Sequence, residues 1–188
     1  CVKNNIKYFD YSVGYSKRPP VFPGNSKILL KIPLNKALSI SKIQDLIKNI
    51  RKKKVQIEAI SLHNPNKKSL CIYKYKIDEL INLKKKFKIK KFGISIYNFD
   101  ELKDCIKKIN KVDIVQLPIN ILDNRICDKK ITTLKKKYNF EVHARSIFLK
   151  GLLLLNKNER PKYFNKWSKI FTKWDLDFDP LATSLNIK

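Results

Sequence analysis

The sequence has few glycines, histidines and acidic residues and no methionine, and these shortages narrow the class of protein. With four glycines and no G-x-G-x-x-G segment, it lacks the glycine-rich turn that usually opens a doubly wound dinucleotide-binding fold. Its four cysteines contain no C-x-x-C pair, and with only two histidines no zinc-type cluster is expected. Free thiols in a reducing cytoplasm are predicted instead, so the protein is expected to be cytoplasmic.

Long apolar runs are also missing. No segment reaches the ~20 apolar residues that a membrane-spanning helix needs, and no signal peptide is visible at the start. The chain has 188 residues, of which 43% are hydrophobic. This is enough to bury one sizeable core, so a single domain over residues 1–188 is expected.

Acidic residues are scarce: 16 stand against 42 basic ones, for a net charge of +26. Such an excess is typical of nucleic-acid-binding proteins, which is one hypothesis. Only five basic residues are arginine, however, and recognition of base edges depends on the planar guanidinium. The densest lysine runs, at 50–54 and 84–91, fall where helices are predicted to end, and cations there complement the helix dipole. A solvated lysine surface with weak, salt-sensitive adsorption of polyanions is favoured.

What the chain does contain is a regular alternation of β-branched apolar runs with amphipathic runs, repeating about every 25 to 30 residues. Strands are predicted at 6–12, 27–33, 57–63, 90–97, 113–120 and 140–148. Helices are predicted at 39–54, 76–87, 98–109, 127–138 and 161–174, with another starting at Asp179. Repeated βα units of this kind predict a parallel sheet.

Polar residues gather where different strands end, namely Asp10, Tyr15, His63, Asn64, Ser95, Gln116, Asn120 and Arg145. In a (β/α)8 barrel the catalytic residues come from the ends of several strands on one face. The sequence therefore predicts an α/β fold of the TIM-barrel type, partial because it shows about six of the eight strands.

Four of the candidate residues come from three successive predicted strands. Asp10 lies near the end of the first and Tyr15 follows it, Lys31 lies inside the apolar run "ILLKIP", and His63 ends the run "AISLH". A lysine among apolar neighbours is costly unless its ammonium is paired. Successive strands of a barrel lie side by side, so the four groups are expected to meet. The plainer alternatives are a capping aspartate, a lysine that snorkels to solvent and a histidine satisfied at a strand end.

This ordered series resembles the aldo-keto reductases, in which an aspartate and, five positions later, a tyrosine close the second strand, a lysine ends the third and a histidine ends the fourth. Downstream, "KKFGISIYN", "DIVQLPINILD" and "HARSIFLKGLLLL" are similar to the segments of the fifth, sixth and seventh strands. The resemblance covers nearly the whole chain. It implies a reductase that uses NADP, or NAD as the alternative, to reduce an aldehyde, a ketone or a sugar-like carbonyl compound.

The resemblance also implies a role for each residue. Tyr15 would be the general acid, although a phenol with its ordinary pKa of about 10 is a poor one. The ammonium of Lys31 would lower that pKa, and Asp10 would keep Lys31 charged and oriented. His63 would orient the carbonyl oxygen by a hydrogen bond. Two further residues would hold the carboxamide of the nicotinamide, namely Ser95 and Gln116.

The sequence departs from the family pattern in several places. The segment between Tyr15 and Lys31 is too short and proline-rich for the helix expected there, Ile96 stands where asparagine is common, and Arg145 replaces an aromatic residue. No counterpart of the first strand, or of the eighth strand with its cofactor loop, is recognised. A fragment or a degenerate copy is therefore predicted. A non-catalytic barrel that acts as a binding or regulatory protein stays as an alternative to the enzyme.

Overall fold

The computed structural model describes residues 6–14, 20–120, 123, 129–155, 157–167 and 169. Within these residues six strands form one parallel sheet whose spatial order follows the chain. The strands are β1 (Tyr8–Ser12), β2 (Lys27–Pro33), β3 (Gln56–His63), β4 (Lys91–Ser95), β5 (Ile114–Pro118) and β6 (Glu141–Arg145). The helices are α1 (Ile40–Lys52), α2 (Lys67–Ile72), α3 (Lys74–Lys86), α4 (Phe99–Lys108) and α5 (Lys129–Tyr138), and short 3-10 helices cover Leu149–Leu154, Lys157–Glu159 and Lys162–Trp167.

The sheet is curved into a half-barrel, so the predicted partial barrel is confirmed. Residues from all six strands line one open cavity of about 510 Å³ on its concave side. Alternation along the strands separates this inner face from the core. In β2, Ile28, Leu30 and Ile32 are at most 1% exposed and belong to the apolar core, whereas Lys31 lies on the other face between them.

The helices begin and end for local reasons. The hydroxyl of Ser39 caps α1 by accepting a hydrogen bond from the Lys42 backbone amide, and Ile43, Ile47 and Ile50 form its buried stripe. Asn98 caps α4 in the same way, with two acidic residues in the first turn. The helices cover the convex side of the sheet and bury the apolar core between them and the strands.

The predicted elements match the structure best where the apolar period is strong. All six strands are present with slightly different ends. The helix predicted at 76–87 is present as α3, which begins at Lys74. A separate helix, α2, precedes it, because a capping box between Asn66 and Ser69 starts a helix at Lys67. The segment predicted as a helix at 161–174 forms a 3-10 helix over Lys162–Trp167. Apart from positions 161 and 169, the rest of it lies outside the described residues, as does the segment from Asp179.

Two of the four cysteines lie among the described residues. Cys71 is exposed and Cys105 is buried, both as free thiols, while Cys1 and Cys127 lie outside the described residues. Burial raises the pKa of the Cys105 thiol to about 12, so it stays protonated at neutral pH.

Among the described helices, none combines the length and the apolar character that a membrane span requires.

The two ends of the sheet carry different side chains. Each helix runs back against the strands, so the helices end where the next strand begins. This end collects basic residues of the last helical turns, namely Arg51, Lys52, Lys84, Lys85, Lys86, Lys107, Lys108, Lys135, Lys136 and Lys137. We call these ten residues the lysine end. The helix ends approach one another, since Arg51 of α1 donates from Nη2 to the Phe87 carbonyl after α3 at 2.6 Å.

Candidate active site

An ion pair between a buried lysine and an exposed aspartate forms the centre of the inner face. Lys31 Nζ lies 2.7 Å from Asp10 Oδ2, and the Lys31 side chain is 1% exposed while that of Asp10 is 39% exposed. Lys31 also donates to Gln116 Oε1 at 3.2 Å, and Gln116 Nε2 donates to Asp10 Oδ2 at 3.2 Å. The three side chains therefore form a closed ring of charged and amide groups that joins β1, β2 and β5.

The strand register explains why these side chains meet. Lys31 is in register with Ser12 of β1 and with Ser61 of β3, so all three lie in one layer of the inner face. Asp10 lies two residues before Ser12 and therefore points to the same face. An ammonium in this position is costly to desolvate, and the carboxylate together with the amide oxygen offsets that cost.

His63 lies at the end of β3, in register with Ser95 of β4. Its Nδ1 is 2.7 Å from the hydroxyl of Ser12, which is fully buried. Partial burial lowers the pKa of His63 below its usual value, and the positive charge of Lys31 lowers it further. The imidazole is accordingly neutral at neutral pH and keeps one N–H as a hydrogen-bond donor.

Ser95 is a buried residue whose hydroxyl has no hydrogen-bond partner among the described residues. It faces Gln116 across the β4–β5 pair, where the two are in register. A buried polar group without a partner is rare in folded proteins, because it has lost its water without gaining a replacement. The pair of Ser95 and Gln116 thus fits a ligand that carries an amide, such as the carboxamide of a nicotinamide.

Arg145 and Ile96, two positions at which the sequence departs from the family pattern, contact each other at the edge of the site. The guanidinium of Arg145 lies over the ring of Tyr97, 4.2 Å from its centroid, and Nη2 donates to the Ile96 carbonyl at 3.1 Å. The Nε atom of Arg145 is buried and has no partner among the described residues. Stacking on Tyr97 fixes the plane of the guanidinium at the edge of the site.

Sequence reasoning missed two residues of this site, Ser12 and Tyr97. Ser12 had a usable signal, because it lies two positions after Asp10 in a strand and must share its face. Tyr97 lies two positions after Ser95 in the strand predicted at 90–97, but β4 ends at Ser95, so alternation does not fix its side chain. Tyr15, the predicted acid, lies outside the described residues, which resume at position 20. The structure brings together Asp10, Lys31 and Gln116 directly and places His63 and Ser95 in the adjoining layer.

Comparison with known proteins gives a family match over nearly the whole chain. Residues 2–187 match the model of the Aldo/keto reductase family. A search of curated proteins gave no match.

Solved structures share the fold at low identity. A glycerol dehydrogenase from Gluconobacter oxydans is 19% identical with a TM-score of 0.59, and the match covers 86% of this chain and 56% of that one. An aldo/keto reductase from Brucella melitensis is 16% identical with a TM-score of 0.54, covering 81% of this chain and 61% of that one. An aldo-keto reductase from a deep-sea metagenome library of the Medee basin is 15% identical with a TM-score of 0.53, covering 83% and 60%. The matches thus span less than two thirds of each of these proteins.

Proposed function

This chain belongs to the aldo/keto reductase family, and we propose that it carries the proton-donating and substrate-orienting part of a nicotinamide-dependent carbonyl reductase. The observation that supports the proposal most is the buried ammonium of Lys31, held by Asp10 at 2.7 Å in the layer next to His63. A surface ion pair would not need this arrangement. A buried cation can lower the pKa of a neighbouring acid, which is the use proposed for it here.

The proposed acid is Tyr15, which follows the strand that supplies Asp10. A cation near a phenol stabilises the phenolate, so the phenol gives up its proton more readily to the oxygen of the substrate. Asp10 keeps the ammonium of Lys31 in place, and Gln116 fixes both from the opposite side. General-acid assistance of this kind contributes roughly 10²–10⁴ in rate.

His63 would orient the carbonyl group. Because its pKa is lowered, the imidazole is neutral at working pH and can donate one hydrogen bond to the carbonyl oxygen without a net charge. The neighbouring cation of Lys31 disfavours a second positive charge here. In this proposal Lys31 strengthens the acid and His63 orients the substrate.

The proposed cofactor is NADP, with NAD as the alternative, and its carboxamide would be held by Ser95 and Gln116. When bound, the nicotinamide supplies the hydride. The proposed substrates are small aldehydes, ketones or sugar-like carbonyl compounds. Glycerol is a reasonable probe of the reverse reaction, because a solved glycerol dehydrogenase shares the fold.

The decisive experiment replaces the proposed acid. Tyr15→Phe in the protein expressed from its complete reading frame should lower kcat/KM on the order of 10²–10⁴-fold, because the phenyl ring cannot donate a proton. The matched control is Tyr75→Phe, which alters a tyrosine that is 64% exposed on α3. Rates are followed by oxidation of the reduced nicotinamide, and cofactor binding by quenching of tryptophan fluorescence. Equal rates for Tyr15→Phe and the unmodified protein would contradict the mechanism. Cofactor binding without any turnover would support the non-catalytic alternative.

A further inference from the structure

We propose that Ser12 is a positioning residue that fixes the tautomer of His63, so that Nδ1 accepts a hydrogen bond and Nε2 carries the proton. Its catalytic consequence rests on the proposed function, whereas its structural part can be tested in a protein without activity. No role for Ser12 follows from the resemblance or from the family match.

The hydroxyl of Ser12 lies beside one of the two ring nitrogens of His63, where it can fix which nitrogen carries the proton. Ser12 ends β1 and His63 ends β3, and the side chains meet across the intervening strand β2. The separation of 2.7 Å between Ser12 Oγ and His63 Nδ1 is typical of a well-formed hydrogen bond that involves a hydroxyl. Ser12 is completely buried, so the partner of its hydroxyl has to come from the protein.

The hydrogen-bond inventory of Ser12 indicates the direction of this bond. The oxygen of Ser12 accepts from the Gly14 backbone amide at 3.4 Å, and its one O–H needs an acceptor because Ser12 is completely buried. Within the described residues, the acceptor in contact with this hydroxyl is His63 Nδ1. If Nδ1 carried the proton instead, the buried O–H would face a donor and have no acceptor, which is unfavourable. The hydroxyl therefore donates to Nδ1.

The electrostatic surroundings keep the imidazole in the neutral form that this choice requires. Three charged groups act on His63: Lys31 and Arg145 lower its pKa, and Asp10 raises it. Partial burial has the largest effect and also lowers the pKa. A neutral ring has one donor and one acceptor nitrogen, so a bond that assigns Nδ1 as acceptor makes Nε2 the donor.

The chemical consequence concerns the substrate. In the proposed reaction His63 has to donate a hydrogen bond to a carbonyl oxygen, which the Nε2–H tautomer can do. With the opposite tautomer, Nε2 would present a lone pair to that oxygen and repel it. Ser12 would thus select the state of His63 that orients the substrate, without touching the substrate itself.

Nitrogen NMR of the protein labelled with ¹⁵N-histidine tests the structural part. The chain has only two histidines, so a His143→Gln variant assigns the signals of His63 directly. We expect His63 at neutral pH to show an unprotonated, hydrogen-bonded Nδ1 and a protonated Nε2. A protonated Nδ1 in the unmodified protein would overturn the proposal, whatever the variants do.

Three serine variants sharpen the test. Ser12→Ala should shift the Nδ1 signal toward that of a nitrogen without a hydrogen bond and raise the Nδ1–H fraction, and Ser12→Thr should restore the original signal. The matched control is Ser61→Ala, which removes another fully buried hydroxyl of the same layer, one that donates to the Leu62 carbonyl at 3.5 Å. Unchanged nitrogen signals in Ser12→Ala, or an equal change in Ser61→Ala, would refute the role of Ser12.

Kinetics connect the tautomer to catalysis. We expect Ser12→Ala to lower kcat/KM about tenfold with unchanged affinity for the reduced nicotinamide, and Ser12→Thr to recover most of that loss. If the unmodified protein shows the predicted nitrogen signals but reduces no carbonyl, the proposed function fails while the tautomer assignment stands. If the protein is active and Ser12→Ala changes the NMR signals but not the rate, the catalytic part of this inference is wrong.

Discussion

Lysine behaves differently at the two ends of this sheet. At the site, Lys31 is 1% exposed and its ammonium lies 2.7 Å from a carboxylate. At the lysine end, Lys85 and Lys86 are exposed in the last turn of α3. The residue type is the same, but burial decides its effect. A desolvated cation interacts strongly with the groups around it, whereas a hydrated one is screened and contributes mainly to solubility.

Ion pairs show the same contrast. Lys91 lies 2.7 Å from Glu141, as close as Lys31 is to Asp10, yet the two side chains are 31% and 52% exposed. The hydrogen bond between them raises the pKa of Lys91 and lowers that of Glu141. Because both partners stay largely hydrated, an exposed pair of this kind contributes only ~0.2–1 kcal/mol to stability. Distance alone therefore does not distinguish the proposed catalytic lysine from an exposed one.

The largest difference in reaction rate should appear between a variant that removes the lysine of the site and one that removes a lysine of the lysine end. Lys31→Met should lower kcat/KM for carbonyl reduction on the order of 10²–10⁴-fold, because the proposed acid loses the charge that strengthens it. Lys85→Met, the matched control, removes an exposed lysine and should leave the rate unchanged. Steady-state kinetics with the complete protein measure both. Similar losses in the two variants would remove the contrast between buried and exposed lysine.

An effect of intermediate size is expected on the binding of polyanions when lysines of the lysine end are replaced. The substitution of Lys85, Lys86, Lys136 and Lys137 by glutamine should weaken binding to duplex DNA at low salt. It should also reduce the slope of log affinity against log salt by about one per lysine that contacts phosphate. The control variant changes Lys42, Lys129 and Lys130 to glutamine, which are exposed lysines in the first turns of α1 and α5. A titration over a range of salt concentrations checks this.

The outcome of that titration also separates the two interpretations of the charge. Equal weakening by both sets of substitutions would show that the lysine end is not a distinct surface. A preference for one DNA sequence that survives at high salt would favour the nucleic-acid-binding hypothesis over simple adsorption.

The smallest effect concerns the two histidines. Because the pKa of His63 is lowered in the folded protein, the unfolded chain binds more protons between the folded pKa and the ordinary value of about 6.5. The contribution of His63 to the free energy of unfolding is therefore present above pH ~6.5 and is lost as the pH falls through that window. The charges of Lys31 and Arg145 also lower the pKa of His63 and act in the same direction, whereas the charge of Asp10 raises it.

This can be measured by denaturant unfolding at several pH values. The difference in free energy of unfolding between the unmodified protein and His63→Gln should shrink as the pH is lowered below ~6.5. His143→Gln makes the same chemical change in the middle of β6, where the ring lies 3.4 Å from Glu141. A difference for His63→Gln that grows on acidification would contradict the direction assigned to its pKa.

The success of prediction from the sequence varied with the kind of interaction. The strands were predictable because each is an apolar, β-branched run bounded by turn residues. Burial of Lys31 was predictable because both of its neighbours in the strand are apolar. The capping box that starts α2 was overlooked, although Asn66 and Ser69 stand at the required spacing. The ring that joins Lys31 to Gln116 could not be foreseen, since its members are 85 positions apart.

By itself, the sequence determined the alternation of strands and helices, the inward position of Asp10 and Lys31, and the lysines at the helix ends. Each of these depends on a period or a neighbour a few residues away, and local sterics and solvation act over that range. Only the tertiary structure decided that Gln116 closes the ring around the ion pair, that Ser12 faces Nδ1 of His63, and that Arg145 stacks on Tyr97. Those contacts depend on the register of six strands and the curvature of the sheet, which arise from the packing of the whole core.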